Sequence, residues 1–105
     1  MDQREYVRRL VEAYRATPGT CGVIRRPDRL LAAQLYERRV PLMAVENALA
    51  LAAVRRIMRP DGAAPLPVIR SLAYFLPVIN EVLATDVSPG YYQHVRRKLQ
   101  RLTAR

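Results

Sequence analysis

Residues able to do chemistry are few and lie far apart in the chain. The nine acidic side chains stand singly among 105 residues, so no two are spaced for shared acid–base work. No His-Glu-x-x-His, Gly-x-Ser-x-Gly or phosphate-cradling glycine loop occurs. Cys21 lies between Thr20 and Gly22, near Arg25 and Arg26. Such neighbours favour a thiolate, but a bystander cysteine has the same surroundings. One cysteine cannot form an intrachain disulfide, and with the lone His94 it falls short of a four-ligand structural zinc site. His94 reads as a surface residue. The expectation is a non-enzymatic protein with no catalytic residues, no metal, no cofactor and no small-molecule substrate.

What the chain has in excess is positive charge. Eighteen basic residues against nine acids give a net charge of +9, enough to attract a polyanion. Seventeen of the eighteen are arginine. Together with abundant Ala, Leu, Val and Pro, that is also what a GC-rich coding sequence produces without functional selection, an explanation that accounts less well for the uneven placement. Tyr91 and Tyr92 precede Arg96, Arg97, Lys98 and Arg101, and no acid follows Asp86. Such a stretch can neutralise several phosphates while an exposed tyrosine stacks on a base. Arg55, Arg56 and Arg59 form a second cluster. The same C-terminal pattern also suits a plain amphipathic helix with core tyrosines and solvated cations.

The stretch from Leu30 to Arg56 invites comparison with a helix-turn-helix, whose second helix enters the DNA major groove. Val40 and Val45 fall at apolar positions of that motif. Arg39, however, stands where the turn usually has glycine, and Leu35 where it favours alanine. Ala44, Glu46, Asn47 and Ala50 would face outward and are poor partners for phosphate. Two ordinary core helices is the other reading.

Positioning these groups requires helices, and the apolar spacing supplies about five. Asp2 can cap the first, with Glu5 completing a capping box and Val7, Leu10, Val11 and Tyr14 on one face. Thr17-Pro18-Gly19 ends it. Pro27 suits the first turn of a second helix with Leu31, Leu35 and the flanking Leu30 and Ala32 buried. Val40-Pro41 restarts the chain. A third helix then places Leu42, Val45, Leu49, Ala52 and Val54 inward, with Ala48, Ala50 and Ala53 keeping it slim. Arg59 to Pro67 is a linker rich in proline. From Val68, the residues Leu72, Phe75, Ile79 and Val82 continue a stripe of large apolar groups, which Pro77 should kink or break near Tyr74. Ser88-Pro89, with Asp86 nearby, begins a last helix with Tyr92, Val95, Leu99 and Leu102 as its buried seam. His94, Lys98, Arg101 and Arg105 form a second stripe on that helix, widened by Arg96 and Arg97.

The fold expected is therefore all-α, a compact bundle of about five helices forming one domain over residues 1–105, with the fourth helix kinked or broken at Pro77. A chain of this length buries roughly two-thirds of its unfolded surface. The longest apolar runs, Ala48 to Val54 and Leu72 to Ile79, are far below the roughly 20 residues that span a bilayer. No secretory signal pattern opens the chain, and a cytoplasmic location is expected.

The run Ile69-Arg70-Ser71-Leu72-Ala73-Tyr74-Phe75-Leu76-Pro77-Val78-Ile79-Asn80-Glu81 resembles the signature of a small, uncharacterised bacterial family of helical proteins. Arg39-Val40-Pro41-Leu42 and Tyr91-Tyr92-x-x-Val95-Arg96-x-Lys98-Leu99 resemble it too, so the likeness covers most of the chain. More distantly, a basic helix, a linker and a Tyr-Phe helix are similar to the C-terminal helical region of phage and plasmid replication-initiation proteins of the DnaD type. The chain has no tryptophan and so lacks that group's Trp-containing tail motif. This resemblance implies an accessory role in DNA replication or in a mobile element.

Two functions follow as expectations. One is a DNA- or RNA-binding accessory protein working through Arg–phosphate contacts from Arg96, Arg97, Lys98 and Arg101, with Tyr91 and Tyr92 and with help from Arg55, Arg56 and Arg59. The other is an interaction or structural module that docks a protein partner or forms a homodimer, its arginines serving solubility. A membrane surface is not expected, because the apolar seam of the last helix is narrow and needed for the fold.

Overall fold

The computed structural model describes residues 1–104 and is an all-α bundle. Helix α1 spans Gln3–Ala16, α2 Arg26–Glu37, α3 Leu42–Ile57, α4 Leu76–Ala84 and α5 Pro89–Thr103, with a 3₁₀ turn at Leu72–Phe75 before α4. No helix of the described residues is long and apolar enough to cross a membrane.

Asp2 caps α1 as expected, its carboxylate accepting the Glu5 N–H at 2.8 Å. The Glu5 side chain does not complete a capping box; it pairs with Arg8 at 2.6 Å. Tyr6, Leu10, Val11 and Tyr14 form the buried face of α1, with Val7 half-buried beside it. Tyr14 is fully buried and meets Phe75 edge to face, ring centroids 6.0 Å apart. That burial pushes the Tyr14 phenol up to about 12, with Asp28 and then Cys21 adding to the rise.

Helix α2 buries Ala32 and Leu35, but Leu30, expected at its buried side, is exposed. The place at the N-terminal end of that face belongs to Asp28, only 2% exposed. One carboxylate oxygen accepts the Arg25 N–H at 2.9 Å, capping α2. The other accepts the Leu72 N–H at 2.8 Å, holding the start of the 3₁₀ turn. The same region is pinned by a short parallel bridge, in which Cys21 N–H donates to Ile69 C=O and Ile69 N–H to Gly19 C=O, both at 2.8 Å.

Arg39 ends α2 in the left-handed region, φ +59°. Its N–H donates to Tyr36 C=O at 2.9 Å and Val40 N–H to Leu35 C=O at 3.0 Å. Those two bonds, with Val40 and Leu35 both buried, make a Schellman closure built on arginine in glycine's usual place. The Tyr6 hydroxyl donates to Val40 C=O at 2.8 Å and ties this turn to α1.

Helix α3 is the axle of the bundle. It packs on α1, α4 and α5, and Val45 and every residue from Ala48 to Val54 are buried. Four alanines in that run let neighbours approach from several sides. A helix covered in this way cannot lie in a DNA groove, so the helix-turn-helix comparison fails on the burial of its second helix.

The stretch expected to be helical from Val68 is not. Residues 63–68 carry no regular structure and Val68 is exposed. Ile69 is buried through the bridge to the α1–α2 loop. Helical structure begins at Leu72, and Pro77 occupies the first turn of α4, where its missing N–H has no helical partner to lose. Leu72, Phe75, Ile79 and Val82 are all buried. On α5 only Val95 is fully buried; Tyr92 and Leu99 pack part-buried against the core, and Leu102 is exposed.

Replacing Asp28 with alanine leaves two backbone N–H groups without their acceptor and should cost about 2–4 kcal/mol, taking about 1.5–3 for each bond to a charged group and allowing partial rehydration. Urea unfolding of the variant checks this. The Tyr14 phenol has a raised pKa when folded, so its stabilising effect is complete below the ordinary value of 10.0 and is lost as pH rises toward about 12. Tyr14→Phe should therefore flatten the alkaline limb of a Tm-against-pH curve; an unchanged limb would show that other tyrosines govern it.

Candidate nucleic-acid interface

The arginines expected to meet phosphate fall into two groups, those tied down by the fold and those left facing outward. Arg55, near the end of α3, donates from both Nη atoms to Glu81 of α4 at 3.0 and 2.5 Å. The hydrogen-bonded pair holds the Glu81 carboxyl below its ordinary value and the Arg55 guanidinium above its own. Arg55 is thus matched by a carboxylate.

Arg56 is tied to neutral groups. It donates to the Tyr74 hydroxyl at 3.2 Å and to Pro67 C=O at 2.9 Å, and its guanidinium carbon lies 5.7 Å from the centroid of the Tyr74 ring. Gly19 permits this placement. Its φ is +94°, and a Cβ there would stand 3.2 Å from Arg56 Nε. Arg59 donates to Ala64 C=O within the linker.

Helix α5 lies against α3, with Tyr91 and Tyr92 in the neighbourhood of Arg55. Further along, Arg96 reaches back to α3, its Nη2 donating to Asn47 Oδ1 at 2.7 Å and touching Met43 Sδ at 3.1 Å. Arg96 is therefore part of the docking of α5. Arg97 and Arg101 are exposed and Lys98 half-buried.

Arg97 and Arg101 are four residues apart and so share a face of the helix, with His94, also exposed, one turn before Arg97. Tyr91 is 43% exposed and meets Tyr92 edge to face at 5.2 Å. Tyr92 is half-buried, and burial, followed by the neighbouring Tyr91, raises its phenol. Arg105, the last member of the expected stripe, lies outside the described residues.

The nine residues singled out from sequence thus occupy three stations. Arg55 stands with Glu81, Tyr91 and Tyr92; Arg56 and Arg59 stand with Tyr74 and the linker; Arg97, Lys98 and Arg101 continue down α5 past the Arg96–Asn47 tie. One basic group was passed over in the sequence. Arg4 and Arg8 of α1 and Arg29 of α2 line a groove of about 590 Å³ with Val7 and Ala33. Arg4 stands beside Glu5 and Arg29 beside Asp28 in the chain, and only the packing of α1 on α2 brings the three together.

Cys21 is half-buried, its sulfur 3.9 Å from Val23 C=O. Among the described residues no three His, Cys, Asp or Glu side chains gather as a metal site requires.

Tied and outward arginines should respond differently to mutation. Arg56→Ala removes two hydrogen bonds and a cation–π contact and should lower stability by about 1–3 kcal/mol. Arg97→Ala should stay within about 0.5 kcal/mol of wild type. Chemical denaturation of both variants checks the division, and equal effects would refute it. No protein-family model matches this chain, and comparison with curated proteins and with solved structures finds no match to either.

Proposed function

We propose that the protein is a non-enzymatic nucleic-acid-binding accessory protein whose contact surface is the outer face of α5. The observation that carries this reading is the outward placement of Arg97 and Arg101 on a helix without a single acidic residue. From Arg55 onward the chain has nine basic residues against three acidic ones, so the surrounding field favours a polyanion. Arginine guanidinium groups match phosphate oxygens in a bidentate fork, and Lys98 adds a point charge beside them. Tyr91, exposed at the start of the helix and braced by Tyr92, offers a face on which a base can stack.

The tie of Arg96 to Asn47 matters to this role. It fixes the rotation of α5 on α3, so the basic stripe is presented in one orientation and its contacts cost less ordering on binding. Nothing in the arrangement selects a base edge. The reading is one of backbone recognition, in which affinity comes from counterion release and depends on salt.

A second reading, docking of another helical chain, is favoured by Met43 and Leu102, exposed large apolar groups at α3 and α5.

Fluorescence anisotropy with a labelled oligonucleotide tests the first reading. Affinity should fall steeply between about 50 and 200 mM salt, with a slope of about 0.7–0.9 per phosphate neutralised. Changing Arg97, Lys98 and Arg101 together to glutamine should flatten that slope by about two to three and leave stability intact. Salt-independent binding, or an unchanged slope in the triple variant, would exclude α5 as the contact surface.

A further inference from the structure

Beside the late turns of α3 lies a pocket of about 370 Å³, separate from the outer face of α5 and owing nothing to the reading above. Arg56 and Arg59 line it with the Tyr74 ring, Leu66, Val78 and Ala52. Arg55 reaches the same wall, with Glu81 matching its charge. The other two guanidinium groups are held by neutral acceptors only, Arg56 by the Tyr74 hydroxyl and Pro67 C=O, and Arg59 by Ala64 C=O. Asp61 and Glu81, the nearest acids in sequence to Arg59 and Val78, are not among the lining residues. Two positive charges therefore border the pocket without a carboxylate between them. Each guanidinium has five N–H donors and spends no more than two on these bonds, so both retain donors for an anion.

The walls say what accompanies the anion. Tyr74 is held edge to face against buried Phe75 at 5.2 Å while staying 46% exposed. Arg56 sits by that ring, with the bare backbone of Gly19 leaving room beside it. An aromatic ring and a guanidinium are the two surfaces on which nucleobases stack, and Leu66, Val78 and Ala52 add an apolar floor. A volume near the lower end of the roughly 300–1,000 Å³ usual for small-molecule sites admits one nucleotide unit and little more. We infer that this pocket binds a nucleoside monophosphate group, phosphate on Arg56 and Arg59 and base against Tyr74 and Leu66. The group is either a free nucleotide or the phosphorylated end of a strand. This goes beyond the sequence-based expectation of no cofactor and no small-molecule substrate.

Titration of the full chain with AMP, adenosine and inorganic phosphate, followed by backbone amide NMR, tests the site. AMP should give saturable shifts at Arg59, Leu66 and Tyr74, with affinity at least roughly tenfold above that of adenosine or phosphate alone. Arg59→Ala removes a charge, and Leu66→Trp fills the pocket from an exposed linker position without removing one. Each should weaken AMP at least roughly tenfold while the circular dichroism spectrum is unchanged. Tighter binding of a 5′-phosphorylated dinucleotide than of AMP assigns the site to a strand end, and the reverse order to free nucleotide. Absence of saturable AMP shifts, equal affinity for AMP and phosphate, or wild-type binding by both variants overturns the inference. Loss of oligonucleotide binding in the α5 triple variant with AMP binding retained removes nothing from this pocket. Failure of AMP with oligonucleotide binding intact removes only the pocket.

Discussion

The carboxylate of Asp28 accepts backbone N–H groups from Arg25 and from Leu72, the latter 44 residues away in sequence. The placement of α2 and of the segment leading into α4 follows from that double acceptance. It starts α2 and fixes where the chain, after a long irregular linker, turns into the 3₁₀ segment. With Leu72 fixed, Phe75 arrives against Tyr14, and Ile79 and Val82 fall on the core side one and two turns later. Taking a carboxylate to 2% exposure is costly unless its oxygens are satisfied. Both oxygens are, by amides that would otherwise lack partners at the starts of two helical segments. The Gly19–Ile69–Cys21 bridge and a bond from the Arg25 guanidinium to Arg70 C=O close the same junction a few residues away, so with the Leu72 N–H the linker's return is held by four hydrogen bonds.

Around that junction the alanine-rich α3 lets three helices approach closely, and the consequence reaches the arginines at its end. A helix buried on so many sides through its middle has only its ends free to meet solvent, Met43 in the first turn and Arg55 and Arg56 in the last. The fold uses Arg56, and Arg59 beyond it, to hold its irregular linker. Residues 58–71 contain no helix, yet Arg56 and Arg59 grip three of their carbonyl and linker-side partners through Pro67, Ala64 and the adjacent Tyr74. Carbonyl oxygens satisfy guanidinium donors without cancelling their charge. Structural use and residual electropositivity are therefore compatible in these two residues, whereas at Arg55 the bidentate contact with Glu81 keeps the structural use and cancels the charge.

Local signals were legible in the chain and tertiary ones were not. Asp2 as a cap, Pro27 in a first turn, the Arg59–Pro67 linker and Ser88-Pro89 before α5 each depend on neighbours within four residues, and the structure has them where the spacing predicts. Val68 misled because an apolar residue four before Leu72 fits a helical stripe, while Ile69 is in fact buried by an extended bridge to a loop about 50 residues earlier. Asp28 misled in the opposite way, since a charged residue on an amphipathic helix reads as solvated unless its distant amide partner is known. Arg39 was noticed as a non-glycine turn residue. Its left-handed backbone is what the Leu35–Val40 closure demands, a requirement of packing that side-chain type does not reveal. Among the candidate site residues, the basic face of α5 followed from helical spacing alone. That Arg55, Arg56 and Arg96 would be engaged depended on partners 26, 11 and 49 residues away.

The position of α5 gives its cations their character. Val95 is its only fully buried residue, and Tyr92, Leu99 and the Arg96–Asn47 bond complete its attachment. Four basic residues between Arg96 and Arg101 repel one another over little more than a helical turn, and no carboxylate on the helix relieves them. Much of that repulsion is screened at ordinary salt, but the remainder weakens a helix anchored by so narrow a seam. An anionic partner that neutralises the stripe removes the repulsion, so part of its binding free energy returns as stability of the docked helix. On the proposed reading, attachment and recognition would therefore be thermodynamically linked through Arg96, whose tie to Asn47 belongs to the first and whose charge would belong to the second.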